Sequence, residues 1–231
     1  MSKLILFDID GTLIDTDEAG RHAFELAFME CTHKDMSQLD YSLCGKTDLQ
    51  VIDELLGILD IEMTEELVEQ ILENYVNFLP YELKIAEKPR ILPGVAEIIS
   101  ELAAHDDLHL GLLTGNIRES AYLKLDFFKL ESYFPTGAYG DDARDRPNLF
   151  PIAVSRCEKK FGCSFPLDQI FLVGDAPGDI NCAHENSARI IAVASGHTSY
   201  EELELLKPDY LLSDLSEIND FMNIIGGGNA E

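Results

Sequence analysis

Leu4-Ile5-Leu6-Phe7-Asp8-Ile9-Asp10-Gly11-Thr12-Leu13 opens as an unbroken apolar run and stops at a carboxylate. Four apolar residues bounded by polar ones suit a short strand covered on both faces, as in a parallel sheet buried under helices. Runs of the same kind recur at residues 108–113, 170–173, 190–193 and 210–212, with a weaker one at 133–138. Helix-length segments lie between them. Val95, Ile98, Ile99 and Leu102 follow Pro93-Gly94 at i, i+3, i+4, i+7 spacing, and residues 147–161 begin with a proline where a first helical turn needs no N–H. Alternating strands and helices imply right-handed crossovers. The fold class read from this order is α/β, a Rossmann-like core with a mainly parallel sheet and helices on both faces.

Residues 17–88 break the alternation. Phe24, Ala27, Phe28 and Cys31 fall at helical spacing, then Val51, Ile52, Leu55, Leu56 and Leu59, then Leu67, Val68, Ile71, Leu72 and Tyr75. Thr64 before Glu65 and Glu66 is a helix start with acids at the positive end of the dipole. The pattern predicts three helices without a strand, an all-helical cap at 16–89 inserted into a core of 1–15 and 90–231. The tail Gly226-Gly227-Gly228-Asn229 is expected to fray.

The 231 residues carry 43 Asp and Glu against 17 Lys and Arg, a net charge of −26 and a pI near 4.3. Such a chain repels phosphate backbones and anionic lipid, so no nucleic-acid or membrane partner is expected. At 46% hydrophobic residues it can still bury a core. Its apolar runs are far short of the roughly 20 residues that span a bilayer. Asp8 and Asp10 interrupt any leader-like stretch. Five cysteines, Cys31, Cys44, Cys157, Cys163 and Cys182, are odd in number and lack C-x-x-C spacing, which fits reduced thiols in the cytoplasm.

Open parallel sheets bind ligands beyond the carboxyl ends of their strands. Three expected strands run directly into Asp8-Ile9-Asp10-Gly11-Thr12, Thr114-Gly115-Asn116 and Gly174-Asp175-Ala176-Pro177-Gly178-Asp179. Carboxylates meeting at one edge repel unless a hard cation sits among them, and Mg2+ takes a few carboxylate oxygens together with water and substrate phosphate. Glycines 11, 115 and 174 permit close approach of a ligand to backbone N–H groups. Asp179 can cap the helix after Pro177-Gly178 and hold a metal-bound water.

DIDGTL, TGN and GDAPGD in this order resemble the haloacid dehalogenase superfamily of aspartate-nucleophile phosphatases, over nearly the whole chain and including the helical insertion. Within that insertion, Gly45-Lys46-Thr47-Asp48 is similar to phosphoglycolate-phosphatase-like members. The resemblance implies Asp8 as the nucleophile, Asp10 as the general acid and base, and Mg2+ on Asp8, the Asp10 backbone carbonyl and Asp175. It further implies phosphate oxygens on Thr114 and the Gly115 N–H. An acid at position 10 points to phosphate monoesters, because dehalogenases of the superfamily lack it and phosphonatases replace it. Such members commonly carry a lysine before the helix that follows the third strand, yet no lysine lies between Lys129 and Lys159. Arg146, just ahead of Pro147, is the expected substitute, with Arg144 the alternative.

Cys44-Gly45-Lys46-Thr47 has the ending of a P-loop without its first glycine, which is Asp40 here. Lys46 is instead a candidate to reach the substrate from the cap, against the plain reading of a surface lysine. His22 reads as a half-exposed packing residue. The expected activity is hydrolysis of a small phosphorylated metabolite, 2-phosphoglycolate by analogy, by a monomer or homodimer. A sugar-phosphate phosphomutase is the nearest rival, and a non-catalytic phospho-accepting or partner-binding protein is the rival of another class.

Overall fold

The computed structural model describes residues 2–36 and 39–227. A first strand β1 (Lys3–Phe7) leads through a short β2 (Ile14–Asp15) into three consecutive helices, α1 (Ala19–Thr32), α2 (Asp48–Ile58) and α3 (Glu65–Ile85). The chain returns through β3 (Arg90–Ile91) and then alternates: α4 (Val95–Ala103), β4 (Leu108–Leu113), α5 (Arg118–Phe127), β5 (Gly137–Ala138), α6 (Leu149–Phe161) and β6 (Ile170–Gly174). It ends with α7 (Pro177–Glu185), β7 (Arg189–Val193), α8 (Tyr200–Leu205), β8 (Tyr210–Leu212) and α9 (Ile218–Gly226).

The six-stranded sheet has the order β5-β4-β1-β6-β7-β8 and every pairing is parallel. Its apolar strands are buried on both faces, as their continuous hydrophobic runs require. On one face Ile98, Ile99, Leu125 and Phe221 cover Ile5, Phe7 and Phe171. On the other, Leu149, Ala153, Ile180 and Leu203 cover Leu4, Leu6 and Leu172. β1 lies between β4 and β6, with Phe7 level with Leu112 on one side and Val173 on the other. The residue after Phe7 therefore emerges at the switch point of the sheet, where such folds place ligands.

Two local expectations need correction. The strand expected at 133–138 shrinks to two residues, because Glu131–Tyr133 forms a 3-10 turn and Pro135 cannot donate to a ladder. The helix expected from 147 opens with a 3-10 turn at Arg146–Asn148 and becomes α-helical at Leu149. The expected fraying of the tail falls, from residue 228 onward, outside the described residues.

The three helices of 17–88 pack around a further apolar cluster, which Ile117 joins from just ahead of α5, with Phe24, Phe28, Ile52, Leu55, Ile71 and Leu79 among its members. Phe24 meets Tyr75 edge to face at 5.5 Å between ring centroids. The segment starts and ends at one narrow neck. There β2 and β3 pair antiparallel, Asp15 opposite Arg90, and the two side chains form an ion pair. Just beyond, Asp17 and Glu18 adopt φ of 53° and 66°, and the Asp17 carboxylate accepts the N–H groups of Glu87 and Lys88 at 3.0 and 2.9 Å. Non-glycine residues in this left-handed region store strain. It is held in place by the returning chain.

Candidate active site

Asp8 is set by the last rung of β1, its N–H donating to Val173 O at 2.9 Å, and its side chain is buried. Beyond it the Ile9 carbonyl gathers the N–H groups of Thr12, Leu13 and Ile14, and Gly11 takes φ of 80°. A Cβ at Gly11 would stand 2.3 Å from the Asp175 carboxylate, so both the turn and the carboxylate behind it exclude a side chain there. The tight turn sends the two aspartates of DIDG to different partners. Asp10 turns away from Asp175 towards Asn116 and Lys124, whose Nδ2 and Nζ each lie 2.7 Å from its Oδ2.

Asp175 and Asp179 come from the turn between β6 and α7. The Asp179 carboxylate accepts the Ala176 N–H at 3.1 Å, capping the helix. Gly174 is required beside it, since a Cβ there would come 2.2 Å from Asp179 Cγ. Thr12 donates its hydroxyl to Asp175 Oδ1 at 3.1 Å. Asp8, Asp175 and Asp179 each offer an oxygen within 4.8 Å of the other two. Into this cluster reaches Arg146, 4% exposed. Its Nη2 lies 3.1 Å from Asp8 Oδ1, also bonds Asp179, and donates to Leu113 O at 3.3 Å. Its Nε–H is buried without an acceptor among the described residues.

The charge in this cluster is not balanced. Burial, then the charges of Asp8 and Asp179, push the Asp175 carboxyl well above the usual carboxylate range. Burial also raises Asp179, with Arg146 pulling the other way. Three carboxylates gather beside one guanidinium that pairs with only two of them, and an all-oxygen donor set of this kind fits a hard divalent cation. The Asp10 side chain stands apart from this cluster, held instead by Asn116 and Lys124.

Thr114 and Gly115 follow β4. Thr114 is buried, and its hydroxyl oxygen accepts from the Asn116 backbone N–H at 3.3 Å and from Asn116 Nδ2 at 2.9 Å, leaving its own O–H to donate. Gly115, Asn116, Asp8, Asp10 and Arg146 line a cavity of about 530 Å3, a size that takes a small molecule. Its far wall comes from the helical segment and includes Arg21 and Lys46. Lys46 is paired with Glu54 at 2.5 Å. Arg144 lies outside the cavity, half exposed and bonded to Asp53. His22 is exposed and lies beside Glu82, away from the cavity.

The loop ending at Asp48 sits directly on the sheet edge. A Cβ at Gly115 would meet Lys46 O at 1.9 Å, and one at Gly178 would meet Gly45 O at 2.1 Å. Asp48 N–H donates to Gly115 O, and the Asp48 carboxylate accepts the Ile117 N–H, both at 2.8 Å. Burial pushes the Asp48 carboxyl up to about 7, against the opposing charge of Lys124.

Asn116 and Asp48 lie inside the TGN and Gly45-Lys46-Thr47-Asp48 stretches without a role read for either, and Lys124 carries no motif signal at all. The signal for Lys124 is its place on the buried face of α5 with Ser120, Ala121 and Leu125. A lysine at helical spacing among small and apolar residues needs a buried partner.

Parallel sheet, acidic strand ends and inserted helices define a hydrolase-type α/β site. Residues 5–193 match the haloacid dehalogenase-like hydrolase family, and the chain belongs to it. It is 24% identical over 225 residues to the pyrophosphatase PpaX of Oceanobacillus iheyensis, covering 97% of each chain. It is also 24% identical over 237 residues to the phosphoglycolate phosphatase of Agrobacterium fabrum, covering 100% of this chain and 97% of that one. Among solved structures, a hydrolase from Pseudomonas syringae superposes with a TM-score of 0.71 at 21% identity, over 97% of this chain and 99% of that one. Among the described residues, no helix is long and apolar enough to cross a membrane.

Proposed function

We propose that this hydrolase is a Mg2+-dependent phosphatase that cleaves a small phosphate monoester through an aspartyl-phosphate on Asp8. The observation that carries the reading is the separation of two carboxylates only two residues apart. Asp8 faces Arg146 and the acidic cluster, whereas Asp10 is held by Asn116 and Lys124. One is placed to attack phosphorus and the other to handle a proton.

Arg146 is buried beside the nucleophile with its Nε–H unspent, so it can bind phosphoryl oxygens as attack proceeds. The Thr114 hydroxyl and the Gly115 N–H would complete that seat. Asp10 would give a proton to the departing alkoxide, then take one from the water that frees Asp8. Asp8, the Asp10 carbonyl and Asp175 would hold Mg2+, with Asp179 behind them. When bound, the ion offsets charge on the phosphoryl oxygens.

Residues 16–89 act in this reading as a cap that closes over the ester and opens for product release. The seating of the Gly45 and Lys46 backbone against Gly178 and Gly115 supports a closed state. Lys46 and Arg21 on the cap wall suit a small anionic leaving group, and relatives named for phosphoglycolate and pyrophosphate agree. All five cysteines are free, in keeping with a cytoplasmic setting.

The test is phosphate release from a panel of esters, 2-phosphoglycolate, sugar phosphates, nucleoside monophosphates and pyrophosphate, with Mg2+ and with EDTA. Mg2+-dependent release from one member well above the rest is expected. Transfer of phosphate to a second hydroxyl without release would make the protein a mutase, and silence throughout would remove the phosphatase reading.

A further inference from the structure

Lys124 lies in none of the three motifs, yet it is 3% exposed and reaches the floor of the cavity. Burying an ammonium costs several kcal/mol unless it is paired and hydrogen-bonded. Here Nζ donates to Asp10 Oδ2 at 2.7 Å and to Asn116 Oδ1 at 2.6 Å, while Asn116 Nδ2 donates to the same Asp10 Oδ2 at 2.7 Å. The three side chains form a closed ring. Because an ammonium can only donate, Asn116 must turn its oxygen to Lys124 and its NH2 to Asp10.

The helical segment makes room for this ring. Gly20 sits in the first turn of α1, and a Cβ there would stand 3.1 Å from Lys124 Nζ and 3.3 Å from its Cε. An aliphatic residue at 124 would leave Asp10 Oδ2 with only the Asn116 amide as a side-chain donor among the described residues. The ammonium is therefore explained by what it holds.

We propose that Lys124 is a positioning residue for Asp10, fixing Oδ2 so that Oδ1 alone is presented to the reacting oxygen. This rests on the assignment of Asp10 as acid and base. Two N–H donors converge on Oδ2, which leaves no place there for a carboxyl proton. Among the described residues nothing donates to Oδ1. In the first step an Asp8 oxygen bonds to phosphorus, the ester P–O bond breaks, and the departing oxygen takes the proton from Oδ1. In the second, water oxygen bonds to phosphorus, the Asp8 O–P bond breaks, and the water proton returns to Oδ1.

The experiment is single-turnover rapid quench on the full chain with Mg2+, tracking phosphoryl transfer to Asp8 from two esters. One is the alkyl ester that the wild type turns over fastest in the substrate panel, and the other is p-nitrophenyl phosphate, whose leaving group needs no proton. For Lys124→Met, transfer from the alkyl ester should fall by about 100-fold and from the nitrophenyl ester by less than about threefold, with KM little changed. Equal losses on the two esters, or a loss confined to KM, would overturn the proposal. Should Lys124→Met not fold, Gly20→Ala keeps the lysine and its charge while crowding Nζ. It should show the same alkyl-selective loss at about 3- to 10-fold, and an equal effect on both esters would again sink the idea. Wild-type protein that forms no phosphoenzyme from either ester would instead refute the phosphatase reading beneath it.

Discussion

Arg146 Nη2 stands 3.1 Å from Asp8 Oδ1 and is held from the other side by Asp179, so one guanidinium serves two buried carboxylates. Its removal leaves both without a cationic partner, and breaking a buried ion pair costs roughly 3–5 kcal/mol. Arg146→Ala should lose at least about 100-fold in kcat and weaken inhibition by free phosphate. Arg144→Ala, at an exposed pair with Asp53, should stay within about twofold of wild type. The reverse pattern in steady-state kinetics would transfer the phosphate-binding role to Arg144.

Asp8→Asn should abolish turnover without harming the fold. The substitution removes one negative charge from a cluster in which Asp175 is already pushed up by burial and then by its neighbours, so the apo protein should melt no lower than wild type. Residual phosphate release in a clean, folded preparation would remove Asp8 as nucleophile.

The sheet was legible because its strands are short apolar runs, and the site's acidic residues because each ends such a run. Asp8, Asp175, Thr114 and Gly115 are placed by strand ends, which a linear pattern reveals. Lys124 is placed by a helix face, and Asp48 by the docking of a loop on Gly115. Neither follows from local spacing, since each partner comes from a distant part of the chain: Asp10 for Lys124, and Ile117 for Asp48. Arg146 stands out in the sequence only because no lysine occupies that region, and its orphaned Nε could not be foreseen from spacing. At residues 133–138 the apolar pattern overran the true strand because Pro135 ends the ladder that the pattern alone would extend.

A divalent cation should stabilise the fold as well as support activity. It would neutralise three mutually repelling carboxylates brought together only in the folded chain, and a ligand at 100 times its Kd adds about 2.7 kcal/mol. Thermal melts should shift upward with millimolar Mg2+ relative to EDTA, and the shift should largely vanish in Asp175→Ala. An unchanged shift in that variant would place the ion elsewhere.

Asp48 gives the molecule a pH dependence of definite sign. Its carboxyl rises from the ordinary 3.8 to about 7 in the folded protein, chiefly through burial. Between those values the folded chain binds the proton that the unfolded chain has released, so this group's contribution to stability is greatest below pH 4 and falls as pH rises through 7. Asparagine at this position keeps a carbonyl oxygen for the Ile117 N–H and carries no charge to bury. Asp48→Asn should therefore match wild type near pH 4 and exceed it at pH 8 by on the order of 1–2 kcal/mol, less than the full shift implies because water reaches part of the side chain. Chemical denaturation of both proteins at pH 4, 6 and 8 in EDTA reads this directly. A variant less stable than wild type at pH 8 would mean that Lys124 and the Ile117 N–H stabilise the ionised carboxylate outright, and that the loop is latched by charge.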